Sequence, residues 1–203
     1  MVQWPPMTLP TTSSTSAAAA PPAGNTAILV IDMQQGLCEG PEAAHDCAGT
    51  IERINAVTAK ARAAGRPVVF VQHECEQQGY LEHGSADWQL AQGLHTEASD
   101  LRVRKTTPDS FLRTDLQDKL LAHGVTQLVV CGMHTEFCVD TTVRKALALG
   151  YPVTLVADAH TSAGNTALTP EQVVAHHNAT LPNISSFGPR VTLASAQTLD
   201  VAG

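Results

Sequence analysis

Residues 27–32 read Ala27-Ile-Leu-Val-Ile-Asp32, and this stretch decides the fold. Five apolar residues run without a polar interruption straight into a carboxylate. A short continuous apolar run suits a strand buried on both faces, as in parallel sheets, because neither face needs a polar side chain for water. Runs of the same kind recur at Pro67–Gln72, Thr126–Cys131 and Pro152–Ala157, with shorter stretches at Leu101–Arg104 and Arg190–Leu193. Between them the apolar spacing becomes helical. Ile51, Ile54, Val57 and Ala61 mark a helix over Cys47–Ala64, and Leu116, Leu120 and Leu121 mark one over Thr114–His123. Val139–Leu149 and Pro170–Leu181 read as two more, the last with proline in its first turn, where the missing N–H costs nothing. Gly65, Gly124 and Gly150 are the expected C-terminal stops.

Strands alternating with helices imply right-handed crossovers and a parallel sheet covered on both sides. The predicted fold is therefore α/β: a three-layer α/β/α, Rossmann-like domain with a mostly parallel central sheet of about six strands. In such sheets ligands bind beyond the carboxyl ends of the strands. Asp32 ends the first strand, Lys105 follows the short Leu101–Arg104 stretch, and Cys138 lies just past the turn Gly132–Phe137 after a later strand. All three are expected on one edge, though far apart in sequence. The connection from His73 to Asp100 carries little periodicity, and a loop of that length inside a compact domain points to function.

Composition removes several function classes. The chain has 203 residues, 43% hydrophobic and 15% charged, which fits one globular domain, expected over residues 26–203. A net charge of −7 and the lack of a basic stripe speak against nucleic acid as a partner. The apolar runs are too short to span a bilayer, so no membrane is expected. Five cysteines, an odd number without a C-x-x-C pair, argue against a disulfide framework and for a reducing, cytoplasmic setting. Residues 1–25 hold no charged side chain and are rich in Pro, Thr, Ser and Ala, and are expected to be a flexible tail.

Three side chains carry the chemistry. Cys138 precedes a helix, whose N-terminal partial positive charge favours thiolate, the nucleophilic form; the bland alternative is an inert core thiol, the reading given to Cys131. Asp32 is placed to take a proton from Cys138 and return it to a leaving group, or else is a turn residue. Lys105 follows Arg102 and Arg104; it is either part of a solvated cationic run or the cation that keeps Asp32 and Cys138 ionised.

Together Ile28-Leu-Val-Ile-Asp-Met-Gln34, Arg104-Lys-Thr-Thr-Pro-Asp-Ser-Phe111 and Gly132-Met-His-Thr-Glu-Phe-Cys-Val-Asp-Thr-Thr-Val-Arg144 resemble the isochorismatase-like cysteine hydrolase superfamily, over roughly Ala27 to Gly188. The resemblance implies an Asp–Lys–Cys triad at Asp32, Lys105 and Cys138. It also implies a cis peptide before His134, and an oxyanion hole from the His134 and Cys138 backbones. Family members cleave nicotinamide, carbamoyl and ureide-type amides, or the vinyl ether of isochorismate. The retained cysteine favours C–N acyl hydrolysis of a small amide over vinyl-ether cleavage. Nicotinamidases carry Asp-x-His followed by His after the second strand; here that stretch is Gln72-His-Glu-Cys75, so no metal and no cofactor are expected. A soft-metal cluster of His73, Glu74, Cys75 and His83 matches no standard spacing.

Further substrate-contacting residues are expected among Gln34, Gln72, His73, Trp88, Phe111 and His134; for Trp88 and Phe111 core packing is the equal alternative. A homo-oligomer, dimer or tetramer, is expected from the resemblance. Other readings stay open: a non-catalytic binding or scaffold subunit, an isochorismatase-type vinyl-ether hydrolase, and a redox sensor in which Cys38 or Cys75 would resolve Cys138.

Overall fold

The structure is a computed structural model and describes residues 25–40, 43–75 and 79–201. The tail expected over residues 1–25 lies, apart from Asn25, outside the described residues.

Six strands form one sheet: β1 (Thr26–Ile31), β2 (Val68–His73), β3 (Leu101–Lys105), β4 (Gln127–Met133), β5 (Val153–Thr161) and β6 (Val191–Ala194). Their spatial order is β3-β2-β1-β4-β5-β6, and every neighbouring pair is parallel. The chain first moves outward from β1 to β3, then returns to the other side of β1 with β4. The strand order reverses between β1 and β4, which is where a parallel sheet opens a crevice at its carboxyl edge.

The apolar run of β1 is buried throughout because both faces are covered. Ala27, Leu29 and Ile31 join one core with Leu116 and Leu120 of α3 (Leu116–Ala122) and Val143 and Leu147 of α4 (Asp140–Ala148). Ile28 and Val30 join the opposite core with Ile51, Ile54, Val57 and Ala61 of α2 (Cys47–Ala63). Strand alternation thus splits one hydrophobic run between two layers. A short helix α1 (Gln35–Cys38) follows β1, and α5 (Pro170–Thr180) lies against β5. A capping box closes the start of α5, where Thr169 and Gln172 exchange bonds with each other's backbone. No helix among the described residues is long and apolar enough to cross a membrane.

Several boundaries differ from the sequence expectation, and two of the differences have a local cause. The helix expected from Thr114 starts at Leu116, because the Thr114 hydroxyl is spent on the Ser110 carbonyl and accepts from the Leu116 N–H. The strand expected to end at Ala157 continues to Thr161: past a bulge it pairs again with β4, His160 opposite Gly132 and Thr161 opposite Met133.

At the switch point the two central strands come unusually close. A Cβ on Gly132 would lie 2.1 Å from the Ile31 carbonyl oxygen, and the residue has φ of +116°. Only glycine satisfies both conditions. The Met133–His134 peptide, one residue on, is cis.

Candidate active site

Each of the three chemical side chains arrives at the crevice for a local reason. Asp32 has a left-handed φ of 51°, a conformation that aspartate tolerates better than most residues. Its N–H still bonds the Val71 carbonyl at 2.9 Å, so the turn is anchored to β2. Lys105 ends β3, where alternation places Leu101, Val103 and Lys105 inward and Arg102 and Arg104 outward. The outward pair is accounted for separately: Arg102 covers the Phe70 ring at 4.7 Å, and Arg104 holds Glu74 through two bonds of 2.8 and 3.0 Å. The strand period therefore singles out Lys105 from an apparently uniform cationic run.

Cys138 does not begin a helix. It sits in a π turn, Thr135–Val139, that runs into α4, with the His134 carbonyl accepting from both Phe137 and Val139 N–H at 3.1 Å. The Thr135 hydroxyl fixes the start of the turn through the Thr161 carbonyl at 3.0 Å and the His160 ring at 2.9 Å. Ser110 and Thr142 bond each other at 2.8 Å and tie the loop after Lys105 to α4.

The three side chains converge. Lys105 Nζ lies 2.7 Å from Asp32 Oδ2 and 3.1 Å from Cys138 Sγ. It also contacts the Thr107 carbonyl at 3.1 Å and His73 Nδ1 at 3.4 Å. The Lys105 side chain is 0% exposed and that of Asp32 2%, so the ion pair is withdrawn from water. Asp32 Oδ1 is buried and has no hydrogen-bond partner. Burial works against the Lys105 ammonium, but the Asp32 carboxylate, helped by any negative charge on the Cys138 sulfur, outweighs it and holds its pKa above the usual lysine value. The Cys138 thiol is pushed up to about 12, first by burial and then by the Asp32 carboxylate, with Lys105 pulling the other way. Burial and the Asp32 carboxylate thus oppose the thiolate that a helix start would favour, and the Lys105 ammonium supports it. Burial also lowers the pKa values of His73 and His134.

Ligand atoms of Asp32, His73 and Cys138 lie within 4.8 Å of one another, a spacing that would also suit a metal ion. Lys105 Nζ contacts all three side chains, however, so the positive charge such a cluster attracts is already supplied by the chain. The residues do not fit a cation there. The alternative cluster of His73, Glu74, Cys75 and His83 does not converge among the described residues, and its Glu74 is committed to Arg104. Cys38 has Cys47 as its thiol neighbour, and that neighbour together with burial raises its pKa.

The other expected contact residues fall in different places. His134 lines a cavity of about 430 Å³ with Leu37, Tyr80, Glu136, Phe137 and Gly164; no triad side chain lines it, but Glu136 and Phe137 directly precede Cys138 in the π turn. His73 touches Lys105. Gln34 is wholly buried, and its amide accepts from the His73 N–H at 2.7 Å and donates to the His73 and Trp88 carbonyls at 2.9 Å. It pins the long loop to β2 and leaves nothing for a ligand. Gln72 donates to the Trp88 carbonyl at 3.0 Å, and both residues line a separate cavity with Arg102 and Arg104. Phe111 is a core residue, stacked on Tyr151 at 6.2 Å. A further cavity of about 410 Å³ lies between α2 and α5, lined by Arg53, His160 and Asn178, and holds none of the triad. Tyr80, Glu136 and Phe137 were not foreseen from sequence, although Glu136 and Phe137 stand directly before Cys138.

Comparison with known proteins bears on this arrangement. A family model for the isochorismatase domain matches residues 26–191. A streptothricin hydrolase of Streptomyces noursei is 38% identical over 134 residues, covering 66% of this chain and 49% of its own. The chain therefore spans about half the length of that relative. A ureidoacrylate amidohydrolase of Caulobacter segnis is 30% identical over 200 residues, 80% of each chain. A solved isochorismatase family protein superposes with a TM-score of 0.77 at 34% identity, over 85% of this chain and 99% of that one.

Proposed function

The chain belongs to the isochorismatase family, and from that premise we propose that it is a cysteine hydrolase cleaving the C–N bond of a small-molecule amide or carbamoyl compound through a thioester on Cys138. The observation that carries this reading is Lys105 Nζ bridging Asp32 at 2.7 Å and Cys138 at 3.1 Å inside a buried crevice. A scaffold has no use for a buried charge pair pressed against a thiol.

Burial and the Asp32 carboxylate both work against a standing thiolate on Cys138. Attack and proton transfer are therefore coupled. Cys138 Sγ adds to the substrate carbonyl carbon as its proton passes to the Asp32 carboxylate, an oxygen of which lies within 4.8 Å of the sulfur. The Lys105 ammonium keeps its charge and stays beside sulfur while negative charge moves from Asp32 onto the substrate oxygen. That oxygen is held by backbone N–H groups of His134 and Cys138. Collapse of the tetrahedral adduct breaks the C–N bond, and Asp32 returns the proton to the departing nitrogen. Water then loses a proton to Asp32 and adds to the thioester carbonyl. The acid leaves, and Cys138 recovers the proton from Asp32.

The test is Cys138→Ala and Cys138→Ser against a panel of small primary amides and carbamoyl compounds, with adducts on the parent protein followed by mass. Loss of turnover in both variants and an acyl adduct on Cys138 are expected; near-native turnover in either variant overturns the assignment.

A further inference from the structure

Glu136 stands in the π turn two residues before Cys138 and lines the same cavity as His134. One carboxylate oxygen accepts the Ser162 hydroxyl at 2.7 Å, and that hydroxyl in turn accepts the Gly164 N–H at 2.8 Å, fixing the far wall of the cavity. The other oxygen, Oε2, is buried and has no hydrogen-bond partner. Among the described residues no lysine, arginine or histidine pairs with Glu136. The contrast with Asp32 is direct. Both acids present an unpartnered oxygen, but Asp32 has Lys105, while among the described residues Glu136 forms no ion pair and has only the electrostatic company of His134, whose pKa burial lowers.

A buried carboxylate oxygen without a donor is costly, and such a group persists where something outside the chain completes it. The cavity also exposes aromatic surface, with Phe137 57% and Tyr80 49% exposed. Aromatic faces attract cations, and a carboxylate beneath them strengthens the preference. The net charge of −7 on the chain draws cationic ligands in the same direction.

We infer that this cavity receives a cationic group of the substrate, an ammonium or guanidinium, whose N–H bonds Glu136 Oε2 while its flank rests on Phe137. This rests on the reading that Cys138 attacks an amide: the scissile carbonyl sits at the triad and the cation in the cavity lined by Glu136 and Phe137, the two residues before Cys138. Glu136 is then the residue that selects for charge, and the substrates are basic amides.

The experiment separates binding from turnover. Full-length Cys138→Ala protein is titrated calorimetrically with 6-aminohexanamide and its neutral match hexanamide, and with 4-guanidinobutanamide and pentanamide. The cationic member of each pair is expected to bind about tenfold more tightly, a preference that shrinks as salt is raised. Adding E136Q should bring each pair within about twofold, since the glutamine keeps the shape and the bond to Ser162 but loses the charge. Phe137→Leu, at an exposed position that does not threaten folding, should reduce the preference severalfold. If no cationic probe outbinds its neutral match, or if the preference survives E136Q, the subsite is wrong. Turnover by the parent protein is scored separately. Basic amides that bind without being cleaved would overturn the hydrolase reading and leave the subsite standing. Neutral amides cleaved as well as basic ones would do the reverse.

Discussion

Two thiols seven residues apart, one in β4 and one in the π turn after it, make an informative pair. Cys131 is buried in the strand, donates to the Leu29 carbonyl at 3.5 Å, and has its pKa pushed up to about 12 by burial. Cys138 is also buried, and its pKa also stands at about 12. Burial raises both, so it does not by itself separate the proposed nucleophile from the core thiol. What differs is the company: Cys131 has only apolar neighbours and a carbonyl, while Cys138 faces an ammonium and a carboxylate that exchange charge with it. A thiol can be as hard to ionise as a core residue and still be a nucleophile, provided the base and the counter-charge are built in beside it.

The largest effect expected on this contrast comes from removing each sulfur. Cys138→Ala should lower turnover of a cleaved amide at least ~10³-fold with little change in unfolding. Cys131→Ala should leave turnover nearly unchanged and cost ~1–2 kcal/mol in denaturant unfolding. Reversal of the two outcomes would break the comparison. Next is Lys105→Met, which makes the surroundings of Cys138 resemble those of Cys131 and strands the Asp32 carboxylate in the interior. Breaking a buried pair in this way should cost about 3–5 kcal/mol in the denaturant midpoint and abolish thioester formation; an equally stable variant would mean that the pair is not desolvated in solution.

A similar but smaller effect concerns what holds the π turn. Burial depresses the His160 pKa to about 4, against an ordinary value of 6.5. A histidine kept neutral in the fold takes up a proton more readily once unfolded. Stability should therefore fall as pH drops from 6.5 towards 4, by on the order of 3 kcal/mol, and level off below. H160Q should flatten that acid limb; a limb of unchanged depth would assign the titration elsewhere. The smallest effect is expected at Gln34, whose truncation to alanine should cost about 1–3 kcal/mol and raise amide exchange at His73, while Cys131 and its strand are untouched.

The strands and most helices were legible in sequence because burial on both faces writes itself as unbroken apolar runs, and Ala27–Ile31 is the clearest case. Lys105 was ambiguous as one of three cations. It is separated from Arg102 and Arg104 only by strand alternation, which the short boundary at Arg104 hid. The second half of β5 was unreadable because Asp158 and His160 break the apolar run where a bulge resets the pairing. Asp32, Lys105 and Cys138 could be placed on one edge from topology, and their roles came from resemblance. The cavity could not be read at all: Tyr80 reaches it from a loop without periodicity, and the unpaired oxygen of Glu136 is a fact of geometry that no spacing encodes. Gln34 and Gln72 illustrate the opposite error, since polar residues beside a site look like ligands until their amides are found bonded to backbone.

Gly132 carries a consequence for how this protein can vary. Because β1 and β4 touch there with no room for even a methyl group, a library of all twenty residues at that codon, screened for folded protein, should return glycine alone. Most catalytic positions can be lost while the fold survives, and a lineage can cross such losses and recover. Position 132 offers no crossing. Substrates and loops can change around this position, but the residue itself is expected to stay.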